Sequence, residues 1–240
     1  MDRRSIAQGA VVYVFCLQAG LCLAAGEEGA APAASPRNLL ENGGFETWHP
    51  LDPNLIRQVK AAGLRLEPAG LAPAGYLPWR EAYKDQQPTA ALALDEKIRH
   101  GGKRSVRIEN RDMRDITLVR YSTEPFAARP DDPHNIRPNR RYALRWWVSG
   151  RDIDPAGTGP ILMMDVYSAT KGKTYRTFVS EETTLPKGTF DWQRRQLVFI
   201  TDAYARSISF TLQLRWTTGT VWYDDVELVD LGPVVNVDTY

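Results

Sequence analysis

Strict alternation of apolar and polar residues near the C-terminal end of the chain is the feature that most constrains its fold. The apolar residues Ile208, Phe210, Leu212, Leu214 and Trp216 alternate there with Ser207, Ser209, Thr211, Gln213 and Arg215. Successive side chains of a β-strand point to opposite faces, so this segment predicts a strand with one apolar and one polar face. The segment Tyr142–Val148 repeats the pattern. Strands of this kind bury their apolar faces by packing one sheet against another.

Further segments with strand character follow at short intervals, separated by turns that contain glycine or proline. They are Ser105–Ile108, Ile116–Tyr121, Leu162–Tyr167, Tyr175–Val179, Gln196–Ile200 and Val221–Val229. This spacing favours a sandwich of two antiparallel sheets over the parallel sheet of an α/β protein. No internal repeat of roughly 20 to 50 residues is visible, which argues against a propeller or a solenoid. The sequence therefore predicts an all-β sandwich.

Near the N-terminal end the pattern differs and predicts one short helical insertion. Asp52 is placed to cap a helix, Pro53 stands at its first position, and Gly63 ends it. The apolar residues between them at helical spacing are Leu55, Ile56 and Val59. Before this helix, the Gly43-Gly44 turn predicts a strand that carries Phe45.

The first residues predict export from the cytoplasm. Arg3 and Arg4 precede an apolar run at 10–25 that ends in small residues, which is typical of a secretory signal peptide. A retained membrane helix is the weaker interpretation, because the run is shorter than the roughly 20 residues that span a bilayer. Cys16 and Cys22 both lie in this run, so the mature chain would contain no cysteine.

These patterns predict four segments. They are a signal peptide at 1–25, a flexible tether at 26–36, one folded domain at 37–231 and a short C-terminal tail at 232–240. We expect the mature protein to be secreted, periplasmic or at the cell surface, with no membrane span. The 240-residue chain carries 30 Lys and Arg against 29 Asp and Glu, a balance that argues against a nucleic-acid partner.

Five strings in order along the chain resemble one family of proteins. They are NLLENGGFETW, GGKRSVRIEN, RRYALRWWVSG, FDWQRRQLVF and GTVWYDDVELVDLG, which cover roughly residues 38 to 231. Together they resemble carbohydrate-binding modules of the CenC type, grouped with families four, nine and twenty-two in the galactose-binding-like jelly-roll superfamily. The longer and more helical stretch Leu51–Tyr83 departs from the family. The resemblance implies a jelly-roll β-sandwich that binds a polysaccharide or oligosaccharide as an accessory to glycoside hydrolases.

The resemblance also implies a structural calcium ion between the first and last strands. The matching positions are Glu46 and either Asp224 or Asp225. Calcium takes six to eight oxygen ligands, so backbone carbonyls of a turn such as Gly101–Ser105 would have to join these carboxylates. Solvated carboxylates at strand ends are the alternative.

A sugar-binding face needs flat aromatic rings to stack on sugar rings, and polar groups to bind the hydroxyls. The side chains predicted to point away from the core and to form this face are Arg145, Trp147, Asp165, Tyr167, Tyr175, Gln213 and Arg215. Packing of Trp147 against a second layer is the alternative for that residue. We expect Trp146, Phe210 and Trp216 to lie in the core, because they share faces with aliphatic residues.

The sequence offers no catalytic motif. His49, His100 and His134 are far apart in the sequence. A pair of glycosidase carboxylates could in principle come from Asp165 with Glu181 or Glu182, but nothing in the local sequence marks them as paired. A non-catalytic binding module is therefore the favoured interpretation. An envelope or matrix protein that uses the sandwich for protein contacts is the alternative, and a small glycoside-acting enzyme is less favoured.

Overall fold

A computed structural model describes residues 37–81, 89–122, 136–168, 174–179 and 185–234. All of them belong to one compact unit, Pro36–Tyr240. The elements in chain order are β1 Trp48–Pro50, α1 Pro53–Ala61, β2 Leu64–Glu67, β3 Leu71–Pro73, β4 Tyr76–Glu81, β5 Ala90–Asp95, β6 Ser105–Asn110, β7 Ile116–Ser122, β8 Arg140–Ile153, β9 Gly159–Ser168, β10 Thr174–Val179, β11 Gly188–Ile200, β12 Ala205–Arg215 and β13 Gly219–Pro233. The predicted signal peptide and tether lie outside the described residues, as do His134, Glu181 and Glu182.

Two large sheets form a β-sandwich. The six-stranded sheet has the order β11-β8-β13-β6-β5-β2, and the five-stranded sheet has the order β10-β9-β12-β7-β4. Neighbouring strands in both sheets are antiparallel except β2 and β5, which are parallel. The predicted all-β jelly-roll fold is confirmed.

The core lies between the inner faces of the two sheets, where the alternating pattern places it. Leu212 and Leu214 of β12 are fully buried there, as is Leu144 of β8. Trp146 and Phe210 are 5% and 1% exposed, which confirms that both belong to the core. The opening segment joins this core from the side: the amide of Leu39 donates to the carbonyl of Leu228 at 2.8 Å, beside a bridge between Asn38 and Val229.

The predicted helix is confirmed by α1. The side chain of Asp52 accepts hydrogen bonds from the amides of Asn54 and Leu55, which satisfies donors that have no partner inside the helix. Val59 is the buried residue of this helix. The predicted strand at Phe45 is wrong, because Phe45 has φ 54° and is the last residue of a turn that precedes β1. Its ring is buried.

The sequence patterns missed β2 to β5, and β4 shows why. Tyr76, Pro78 and Arg80 of this strand face inward, whereas Leu77 and Trp79 face outward. Arg80 is tolerated inside because Asp115 is also buried and accepts from its Nε at 3.2 Å and from its Nη2 at 2.5 Å. A charge on the core side and a tryptophan outside reverse the usual apolar pattern of a strand.

Among the described residues, no helix has both the length and the apolar character that crossing a membrane requires.

Candidate functional site

The predicted ligand-binding residues are divided between the two sheets. Arg145 and Trp147 lie on β8 of the six-stranded sheet. Gln213 and Arg215 lie on β12 of the five-stranded sheet. Asp165 and Tyr167 lie on β9 beside β12, whereas the side chain of Tyr175 lies outside what the structure describes. The structure therefore does not bring Trp147 together with Gln213 and Arg215.

Trp147 lies under another aromatic ring. The imidazole of His100 stacks on its indole with 3.7 Å between ring centroids and 17° between planes. Trp192 meets the same imidazole edge-on at 5.7 Å. On the same strand, the Nε of Arg145 donates to Oε1 of Gln196 at 2.8 Å. One face of the Trp147 ring is thus already covered by protein, which favours the packing alternative for this residue.

The outer face of the five-stranded sheet gathers the other predicted residues. Residues paired across neighbouring strands share a face, so one row runs Trp79, Leu118, Gln213, Ile161 across β4, β7, β12 and β9. We call this surface the Trp79–Trp216 face. Its members are Leu77, Trp79, Leu118, Arg120, Ile161, Met163, Asp165, Tyr167, Ser207, Ser209, Thr211, Gln213 and Arg215, with Trp216 at its end.

Two exposed tryptophans flank this face. Trp79 is 41% exposed and Trp216 is 40% exposed, although large aromatic side chains are usually buried. Between them, Leu118 and Ile161 are buried but lie outside the core cluster. The face thus offers apolar rings at its margins and an apolar floor.

The prediction that Trp216 lies in the core is wrong. Strand β12 ends at Arg215, and Trp216 has φ 46°, a left-handed conformation that turns its side chain out of the strand's alternation. Two backbone hydrogen bonds hold it there: its amide donates to the carbonyl of Asp115 at 2.9 Å, and its carbonyl accepts from Thr158 at 3.2 Å.

Three polar side-chain atoms on the same face lack partners within the described residues, although Nε2 of Gln213 donates to Oγ1 of Thr211 at 2.6 Å. Gln213 is 3% exposed and Ser207 is 1% exposed. The Oε1 atom of Gln213, the Oγ atom of Ser207 and the Nε atom of Arg215 are all inaccessible, and within the described part of the chain none of them has a hydrogen-bond partner. A buried polar atom without a partner costs about 1–3 kcal/mol, so such atoms call for a ligand or an ordered water.

Sequence reasoning missed Trp79, Leu118 and Ile161. For Trp79 the sequence does contain the alternation typical of a strand, because Leu77 and Trp79 alternate with Tyr76 and Pro78. Only the buried position of Arg80 decides which of the two sets points outward. For Leu118 and Ile161 there was no signal, because an apolar residue on a strand is expected to be in the core.

The carboxylates predicted to bind calcium converge on one loop. Oε1 of Glu46 accepts from the amides of Lys103 and Arg104 at 2.6 and 3.3 Å. Oδ2 of Asp224 accepts from the amides of His100 and Gly101 at 2.8 and 3.1 Å.

His100 also connects this loop to the neighbouring carboxylate. Oδ2 of Asp225 lies 2.7 Å from Nδ1 of His100. We call Glu46, Asp224, Asp225 and the segment 100–104 the carboxylate loop.

Burial dominates the electrostatics of Asp224. Loss of solvent raises the pKa of its carboxyl to about 6, whereas hydrogen bonds from the amides of Gly101 and His100 act in the opposite direction. The loop needs glycine at position 102, where φ is +52° and a Cβ atom would collide with the carboxylate of Glu46.

The oxygen atoms of the carboxylate loop fit the calcium prediction only in part. Three carboxylates lie at the predicted position, but their oxygens face amide and imidazole nitrogens. Within the described ranges, no three acidic or histidine side chains are arranged so that they could share a metal ion. A cation would have to replace several of these hydrogen bonds. Calcium at this loop stays a prediction.

Comparisons with known proteins give no match in sequence. No family model matches the chain, and no curated protein matches it.

Solved structures give a likeness of fold. The enzymatically active domain of tailspike protein 4 of bacteriophage CBA120 has a TM-score of 0.51 at 8% identity, covering 81% of this chain and 21% of its own. This chain therefore spans about a fifth of the length of that protein.

Carbohydrate-binding modules are also among the structures with a similar fold. A tandem of two family 22 modules from Paenibacillus barcinonensis Xyn10C has a TM-score of 0.45 at 10% identity, covering 88% of this chain and 50% of its own. A family 4 module has a TM-score of 0.44 at 13% identity, and the match covers 79% of this chain and 98% of the module. Modules of families 16 and 61 are similar as well.

Proposed function

We propose that this protein is a non-catalytic carbohydrate-binding module that binds a polysaccharide or oligosaccharide on the Trp79–Trp216 face. The observation that carries the proposal is the pair of exposed tryptophans on one sheet face, which also carries Gln213 and Arg215. Tryptophan rings stack on the apolar faces of sugar rings, and amide and hydroxyl groups bind their hydroxyls. A glycan supplies both kinds of contact at once.

The exposed tryptophans favour this function over the protein-contact alternative. A sheet surface of serine and threonine with few exposed aromatics would favour an envelope or matrix role. Ser209 and Thr211 do lie on this face, but they are 6% and 7% exposed, and the exposed positions are Trp79 and Trp216. The five strings that resemble carbohydrate-binding modules support the glycan as well.

Retention on insoluble polysaccharides and on a glycan array tests the proposal. We expect the purified protein to be retained by at least one glycan, Trp79→Ala to weaken that binding at least ten-fold, and Gln213→Ala to weaken it several-fold. Trp147→Ala is the matched control, because it removes a tryptophan from the other sheet.

Two results would contradict the proposal. Loss of binding in Trp147→Ala with normal binding in Trp79→Ala would move the site to the six-stranded sheet. A folded protein that binds no glycan would favour the protein-contact role.

We also propose that the protein acts outside the cytoplasm, after a signal peptide at 1–25 is removed. The basic residues Arg3 and Arg4 before an apolar run support this. Mass spectrometry of the protein from the envelope and the medium of expressing cells tests it. We expect a mature chain that begins near Gly26, and a chain that retains Met1–Ala25 in the cytoplasm would contradict it.

A further inference from the structure

The guanidinium of Arg215 lies on the Trp79–Trp216 face with most of its hydrogen-bonding capacity unused. Its Nη1 donates only to the sulfur of Met163, at 3.2 Å, and a thioether is a weak acceptor. Its Nε is inaccessible and, among the described residues, has no acceptor. An arginine carries five N–H donors, so Arg215 retains donors, those of Nη2 among them, that have no acceptor in the described part of the chain.

The side chain is nevertheless held in place. Its guanidinium carbon lies 4.1 Å from the centroid of the Trp216 ring, a cation–π contact. The backbone of Trp216 is fixed in turn by its hydrogen bonds to Asp115 and Thr158. A donor group positioned before the ligand arrives loses little conformational entropy on binding.

Arg215 forms no ion pair within the described part of the chain, where its side chain contacts Met163 and Trp216. Its cross-strand partners are Ile116 and Gly159, both uncharged. Glu81 pairs with Ile116 on the far side, about 10 Å away at two strand spacings.

Asp165 lies on the same face of β9, two positions beyond Met163, and within the described residues it forms no ion pair with Arg215. The closest acidic group in the adjoining turn, Asp154, accepts from the amide of Ala156 at 2.9 Å.

A second cation lies beside the same strand end. The Nζ of Lys187 donates to the carbonyls of Gly157 and Thr158, and a Cβ atom placed on Gly159 would lie 3.1 Å from it. Gly159 is the cross-strand neighbour of Arg215. Two positive groups thus converge on this end of the face.

We infer that the Trp79–Trp216 face binds an acidic glycan, and that Arg215 holds the carboxylate of a uronic acid residue. The inference rests on the proposed function and names its substrate class. Nη2, which has no partner among the described residues and is not one of the inaccessible atoms, would donate a charge-assisted hydrogen bond to a carboxylate oxygen. The cation–π contact with Trp216 fixes the plane of the guanidinium.

Matched ligands test the inference. Calorimetry would measure the binding of polygalacturonate, alginate and a glucuronate polymer. Each uronate would be compared with a counterpart in which its carboxyl groups are reduced to alcohols. Each would also be compared with a sulfated glycan of its own backbone. We expect at least one uronate to bind about ten-fold more tightly than its reduced counterpart, with a preference that shrinks in high salt.

Arginine variants test whether Arg215 causes the preference for the uronate over its reduced counterpart. Arg215→Gln should bind the uronate and its reduced counterpart equally, Arg215→Lys should keep only part of the preference, and Arg194→Gln should keep all of it. Arg194 is the matched control because it is an exposed arginine of the other sheet, where it lies near Glu227.

The outcomes separate this inference from the proposed function. Binding of no glycan would overturn both. Binding of reduced and acidic forms with equal affinity, or an unchanged preference in Arg215→Gln, would overturn the acidic ligand alone. Tighter binding of the sulfated glycan than of every uronate would also overturn the carboxylate assignment.

Discussion

At the scale of single residues, one backbone conformation decides the environment of Trp216. Its position continues the apolar series of β12, yet φ 46° turns the ring outward beside Arg215, where it is 40% exposed. The two tryptophans Trp146 and Trp216 therefore have opposite roles, although both continue an apolar face in sequence.

This difference gives a first prediction. Trp216→Ala should weaken glycan binding at least ten-fold and change the free energy of unfolding by less than about 1 kcal/mol, since the ring is exposed. Trp146→Ala should lower the free energy of unfolding by about 3–5 kcal/mol, as expected for a core aromatic. Urea unfolding and glycan binding measured on both variants check it. A large loss of stability in Trp216→Ala would mean that its ring is structural.

The stack of His100 on Trp147 gives a second prediction at this scale. Offset aromatic pairs contribute about 0.5–1.5 kcal/mol beyond the area they bury. A double-mutant cycle with His100→Ala and Trp147→Ala should therefore give a coupling free energy of that size in urea unfolding, while glycan binding stays normal. A coupling near zero would show that the two rings do not stabilise each other.

At the scale of elements, the buried pair of Arg80 and Asp115 sets the orientation of β4. The guanidinium also donates to the carbonyl of Ala62 at 2.8 Å and to Thr89 at 3.1 Å, so it connects the end of α1 to the strands around it. With Arg80 directed inward, the alternation of the strand directs Trp79 outward.

Breaking this pair is the third prediction. Asp115→Ala leaves a buried charge without its partner and should lower the free energy of unfolding by about 3–5 kcal/mol. The double variant with Arg80→Met should recover part of that loss, because no buried charge remains. Denaturant unfolding of the three proteins measures it. A double variant less stable than Asp115→Ala would contradict the expectation.

At the scale of the whole molecule, the carboxylate loop joins distant parts of the chain. Glu46 precedes the first strand, segment 100–104 precedes β6, and Asp224 and Asp225 lie in β13. The loop therefore connects the opening segment to β13, the last strand in the chain.

Calcium removal is the fourth prediction. If calcium binds at this loop, the melting temperature should rise with added calcium and fall with chelator, because a ligand that binds only the folded state stabilises it. Glu46→Gln should lose this response, whereas Glu96→Gln, a neighbouring exposed acid that pairs with Arg104, should keep it. Equal melting temperatures in calcium and in chelator would mean that amide hydrogen bonds alone hold the loop.

The sequence by itself determined part of the local structure of this protein, but not β2 to β5. Alternation in β8 and β12 made the chain an all-β sandwich, and Asp52 with Pro53 began α1, because side-chain periodicity and capping act between residues close in sequence. Only the tertiary structure decided which polar and aromatic side chains share a surface.

Strand pairing decided the composition of the candidate site. It placed Trp147 under His100 on one sheet and Trp79 in one row with Gln213 on the other, and the burial of Arg80 against Asp115 turned Trp79 outward. These outcomes depend on contacts between residues far apart in the chain, and no local pattern encodes such contacts.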